Sequence, residues 1–175
     1  IMVISLDSGH PTFLHQMMVA SVFFLLIMVE SSLGYFSFFH GATPKLIIAM
    51  VFLMAIFNKE DIHLANLVLI GVIFDSLQGA PLGYTSSVMV LVNIIGTIGK
   101  RRFNDTPMSY LWLDFAMVMG LVMFYCWLCI CIYYQSLPAV GPLVFQYSST
   151  VLLFPVMILI YQGIQYMVEM VSRLK

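Results

Sequence analysis

Three cysteines, Cys126, Cys129 and Cys131, fall within one apolar run, Leu121 to Tyr134. A Cys-x-x-Cys spacing serves redox or metal chemistry when histidines or a second pair stand beside it. Here the count is odd and no histidine is near, so the thiols read as small packing groups. The carboxylates say more, because a charge inside a bilayer costs about 2.5–3.5 kcal/mol on insertion scales and demands a partner. Glu30 and Asp114 stand at the boundaries of apolar runs, where water and headgroups are within reach, and read as interfacial. Asp75 lies inside Ile70 to Leu77 and is followed by Gln78-Gly79-Ala80-Pro81-Leu82-Gly83, which is turn material. The first amides of a helix starting near Pro81 lack intrahelical acceptors and carry positive partial charge. A carboxylate reaching over the turn satisfies them, which makes Asp75 a clamp on a helical hairpin, with a proton or ligand site as the alternative. No other run supplies a clear intramembrane carboxylate, Lys or Arg for a proton relay. His10, His15, His40 and His63 are scattered, and neither a phosphate-cradling glycine loop nor an ordered nucleophile and base is present. No catalytic, cofactor or metal site is therefore expected.

The elements that must position Asp75 follow from composition. Over 175 residues the chain is 62% hydrophobic and 9% charged, with a mean hydropathy of +1.02. Soluble domains are about 45–50% apolar and about 25% charged, so a soluble domain is excluded. Seven basic residues against eight acidic ones offer no stripe for a nucleic-acid backbone. Apolar runs cover Phe13 to Val29, Pro44 to Phe57, His63 to Leu77, Leu82 to Gly99, Leu111 to Tyr134 and Leu143 to Val171. They are apolar on all sides rather than alternating, which predicts helices and not barrel strands. The expected fold is all-α: one polytopic membrane domain over 1–175, with about six transmembrane helices in a bundle. The second and third runs are short for a span. Pro44 and Pro81 read as helix starts, and Pro155 should kink the sixth run one turn before it. No internal repeat of 20–50 residues is evident.

Orientation follows from the basic residues, which favour the cytoplasmic side. Six spans with an internal N-terminus place Lys59, Lys100, Arg101, Arg102, Arg173 and Lys175 inside and only Lys45 outside. The first run is expected to be retained as a span, and both termini to be cytoplasmic. Gly71, Gly96 and Gly99 permit close approach of a neighbouring helix, and Asn93, Gln146, Gln162 and Gln165 are candidates for hydrogen bonds between helices.

Gly71, Asp75, Gly79, Pro81, Leu82 and Gly83, set in the stretch Leu69 to Gly83, resemble the phrase joining two middle helices in the rod shape-determining MreD family. The resemblance extends loosely to Pro44, to the basic loop Lys100-Arg101-Arg102-Phe103 and to Pro155. Where members often carry Arg-Pro, this chain has Asn58-Lys59 and keeps a basic residue. The resemblance implies a non-catalytic subunit of the bacterial elongation machinery in the inner membrane, without a cofactor. It would bind MreC, near the glycan polymerase RodA with its transpeptidase and, indirectly, the MreB filament, and be surrounded by lipid. The family is similar in fold to the six-helix substrate-binding subunits of energy-coupling-factor vitamin transporters. That similarity provides the alternative function, a small-molecule-binding membrane subunit. A proton-pumping respiratory subunit is a third class, disfavoured by the missing chain of buried ionisable groups.

Overall fold

Glycine, proline and the change from apolar to polar residues set where each helix stops. The computed structural model describes residues 13–34, 42–57, 64–99, 108–135, 137 and 139–173. Six helices follow in order: α1 (Phe13–Leu33), α2 (Leu46–Phe57), α3 (Leu64–Gln78), α4 (Tyr84–Gly99), α5 (Met108–Tyr134) and α6 (Val140–Arg173). The described residues hold no strand, so the all-α class expected from the apolar runs is the one observed. The helix starts need correction. Pro81 does not open α4 but a turn, closed by the Tyr84 amide donating to the Pro81 carbonyl at 3.1 Å. Gly83, at φ +93°, has a left-handed backbone that no right-handed helix contains, so α4 starts one residue later. Pro44 likewise precedes α2 by two residues.

α2 is the centre. Every residue from Leu46 to Ile56 is buried, as a helix apolar on all sides requires. α4, α6 and α1 pack around it. At one level Phe52 of α2 meets Phe115 of α5 (ring centroids 5.3 Å) and Phe154 of α6 (6.0 Å), and Phe115 stacks on Phe154 at 3.9 Å. Gly96 of α4 admits α2: a Cβ at this position would stand 2.7 Å from Cβ of Ala55. Gly71 of α3 does the same for α4, since a Cβ there would lie 2.6 Å from Cα of Ser86. Both glycines are consumed by contacts within the bundle, not left open for another chain.

Hydrogen bonds fix the direction of each helix. At one end, Gln78 Nε2 donates to Ser31 Oγ (3.5 Å), Gln146 Nε2 to the Thr43 carbonyl (2.8 Å) and the Lys45 amide to Thr150 Oγ1 (3.0 Å). The ends of α1 and α3 therefore lie beside the starts of α2, α4 and α6. At the other end Phe57 stacks against Tyr161, with centroids 5.7 Å apart. The chain passes up and down through the bundle.

Among the described residues two helical stretches are long and apolar enough to cross a membrane, Tyr110–Tyr133 and Val140–Met167. In their most apolar windows only 28% and 22% of residues are buried. Core helices of soluble proteins would be mostly covered, so these surfaces point to lipid. Of the six expected spans these two meet the test of length and composition, and α1, at 21 residues, has the length. α2, α3 and α4, of 12, 15 and 16 residues, reach only about 18–24 Å against a hydrocarbon core of about 30 Å.

Pro155 sits inside α6 and has no amide proton for the carbonyl of Val151, one turn earlier. That carbonyl accepts instead from Trp112 Nε1 of α5, at 2.9 Å. Trp112→Phe is expected to leave the carbonyl unpaired and cost about 1–3 kcal/mol. Pro155→Ala in the same chain restores the amide partner, so the double variant should regain most of the lost thermal stability in detergent. Equal melting of Trp112→Phe and the parent would contradict the pairing.

Candidate functional site

The hairpin of α3 and α4 is built around Asp75, a fully buried side chain. Its Oδ2 accepts from the Gly83 amide at 2.9 Å, and both carboxylate oxygens accept from the Thr85 amide, at 3.0 and 3.2 Å. The Asp75 carbonyl also accepts from the Ala80 amide at 3.0 Å. The Gly83 and Thr85 amides are the unsatisfied donors at the start of α4, whose capping group comes from the preceding helix instead of the usual adjacent residue, while the Ala80 bond closes the end of α3. Gly79 (φ +65°) and Gly83 supply the two left-handed positions that fold the connection tightly enough. Ser86 Oγ donates to the Val68 carbonyl at 3.0 Å beside Gly71 and fixes the crossing of the two helices. Pro81 starts the turn, and Leu82 stands at its tip, 72% exposed.

The same device closes the first hairpin. Glu30 lies three residues before the end of α1, as Asp75 does in α3, and its Oε2 accepts from the Ile47 amide at 3.3 Å in the first turn of α2. Glu30 is 1% exposed, so the interfacial reading is overturned: the side chain points into the bundle. A carboxylate in that position needs compensation, and Lys45 Nζ stands 3.2 Å from Oε1. The ammonium also lies 5.6 Å from the ring centroid of Phe74, a cation–π distance. Lys45, the one basic residue expected outside, is thus spent on a carboxylate within the bundle.

All six helices meet at a cavity beside this pair, lined among others by Glu30, Lys45, Phe74, Thr85, Met123 and Gln146. Its volume is about 20 Å³. Beyond it the interior turns apolar, with Phe52, Phe115, Phe154 and Met119 fully buried. Among the described residues Glu30, Thr43, Asp75, Ser86 and Thr150 are the buried polar side chains near this end, and Asn93 of α4 is the one buried further along.

Gln146 reaches the Thr43 carbonyl in the segment before α2 and not another helix, and Gln165 donates to Tyr161 Oη within its own helix, at 2.8 Å. The three cysteines are free thiols, with Cys126 buried and Cys129 and Cys131 half-buried. No group of three or more His, Cys, Asp or Glu that could hold a metal occurs among the described residues. Lys59, Lys100, Arg101 and Arg102 lie outside the described residues, as do His10, His40 and His63. The Glu30 and Lys45 pair was the one missed by sequence reasoning. Its signal was present: Glu30-Ser31-Ser32-Leu33-Gly34 repeats the acidic-Ser-x-x-Gly order of Asp75-Ser76-Leu77-Gln78-Gly79.

Compared with family models, with curated proteins and with solved structures, the chain gives no significant match.

Removing one member of a buried pair strands the other's charge, a loss of about 3–5 kcal/mol, while replacing both with apolar or neutral groups is often nearly neutral. Lys45→Met should therefore sharply lower the melting temperature, near the smaller of those values since Lys45 keeps some exposure. Glu30→Gln added to Lys45→Met should recover most of it. Asp75→Ala strands two amides and should cost about 1–3 kcal/mol for each donor left buried, with Asp75→Asn milder because it keeps one acceptor oxygen. Additive losses in the Lys45 and Glu30 double variant would contradict the pairing.

Proposed function

We propose that this chain is a non-catalytic, multi-pass subunit of the MreD kind, crossing the bacterial inner membrane six times with both termini cytoplasmic. Its work is to bind MreC and support wall synthesis by the RodA polymerase and its transpeptidase. The observation that carries the reading is the phrase at the third and fourth helices. Gly71 admits the neighbouring helix, Asp75 caps it, and Gly79 and Gly83 turn the backbone. Gly71, Asp75, Gly79 and Gly83 each have a physical task that most other residue types would fail, whereas Pro81 contributes a backbone carbonyl to the turn and Leu82 has no such task. That side chain projects from the turn without a packing task in the bundle, as a partner contact would.

Two further observations support a binding subunit over the alternatives. Among the described residues, the cavity at the ion pair, about 20 Å³, is far below the roughly 300–1,000 Å³ of small-molecule pockets, so that site lends a vitamin carrier no support. The aromatic and methionine layer beneath the ion pair gives a proton no path of buried ionisable groups among the described residues, which argues against a pump. Six spans accord with the alternating course of the helices, their exposed apolar faces, such as Leu64, Val68, Leu69, Val72, Ile73 and Leu77 of α3, and the inside bias of the basic residues.

Association in lipid rests on close packing and a few hydrogen bonds, because apolar contact alone competes with lipid. Gly71→Leu is unsuitable for testing partners, since it breaks the bundle itself. Leu82→Ser is the better probe: the chain should stay folded in mild detergent yet retain at least tenfold less MreC on affinity purification. Depletion should round the cells. Rod-shaped depleted cells that lose uptake of a vitamin would overturn the assignment.

A further inference from the structure

The buried carboxylate of Glu30 has hydrogen-bonding capacity that the protein does not use. Oε2 is engaged by the Ile47 amide, and Oε1 faces the Lys45 ammonium at 3.2 Å, which takes one of its acceptor positions and leaves the other. An ionised carboxylate oxygen offers two acceptor sites, and a buried acceptor left empty is costly. The cavity of about 20 Å³ lies against this carboxylate, and about 10–15 Å³ of such volume suffices for one water. A retained water also needs two to four polar partners. The residues that line the cavity include polar ones to provide them: besides Glu30, these are Lys45, Tyr84, Thr85 and Gln146.

We propose that this cavity is a binding site for a single structural water, which donates to Glu30 Oε1 and joins the first hairpin to the start of α4. Thr85 belongs to both parts of the arrangement: its amide is held by Asp75, and its residue lines the cavity. The water thereby links the two carboxylate caps through one residue. The site is too small for any ligand of metabolite size, and the proposal stands whether or not the chain binds MreC.

The test uses the sign of a cavity-filling effect. Val88 lines the cavity and is 1% exposed. Val88→Ile in the full chain adds a methylene that displaces the water and should lower the melting temperature by about 3–6 °C, a range set by one to two lost hydrogen-bond equivalents in a chain of this size. In a Glu30→Leu, Lys45→Met background no buried charge needs hydration, and the same substitution should be neutral or raise the melting temperature. An equal loss in both backgrounds identifies overpacking and overturns the proposal, as does a gain in the parent chain. A direct map in lipid nanodiscs at a resolution that resolves waters should place one about 2.8 Å from Glu30 Oε1. A dry cavity in that map overturns it too.

Discussion

Two carboxylates with almost no solvent contact, Glu30 and Asp75, impose the condition that the rest of the bundle meets. Each must find donors where neither water nor neighbouring side chains are plentiful, and the start of a helix is the place where backbone amides stand free. Since each carboxylate sits near the end of one helix, the helix it caps must begin close by and run back. A hairpin follows from electrostatics before any apolar contact is counted. Asp75 is balanced by amides, with Gly83 and Thr85 both donating. Glu30 has one amide, from Ile47, and an ammonium makes up the rest.

From that condition the remaining architecture can be traced. With both turns closed at the same end, the starts of α2 and α4 converge there, and Gln146 and Thr150 bring the start of α6 to them. α2 is thereby enclosed and can be apolar on every side, while the aromatic trio of Phe52, Phe115 and Phe154 fills the middle. Gly71 and Gly96 set how near the helices come, because a Cβ at either would overlap the adjoining helix. α5 and α6 cover one side and turn much of their own apolar surface outward. The two buried carboxylates lie near one end, and the body beyond them is mostly apolar, with Asn93 its buried polar side chain among the described residues.

Much of this was legible in the residues, and the failures have physical causes. Apolar runs bounded by Gly, Pro and charge gave six helices within a few residues of those observed, since composition alone sets where a helix can lie in lipid. The Asp75 clamp was legible because a short turn leaves few alternatives for its carboxylate. Glu30 was not, because its partner lies across a longer connection, and a charge at the end of an apolar run looks the same whether it faces water or folds inward. Pro81 misled because a proline fits a turn as readily as a first helical residue, and the left-handed Gly83 decided between them. Pro155 stands inside α6, and no sequence pattern tied Trp112 to the carbonyl left without an amide donor.

The central claim is that carboxylates from the preceding helices hold the first amides of α2 and α4. Residue-resolved hydrogen exchange in lipid nanodiscs reads those bonds directly, because an amide in a first helical turn has no acceptor within its own helix. Ile47, Gly83 and Thr85 should exchange slowly in the parent chain. In Asp75→Ala, Gly83 and Thr85 alone should accelerate, by about tenfold or more for a loss of about 1.4 kcal/mol. Fast exchange at all three amides in the parent, or no change at Gly83 and Thr85 in the variant, would contradict the account.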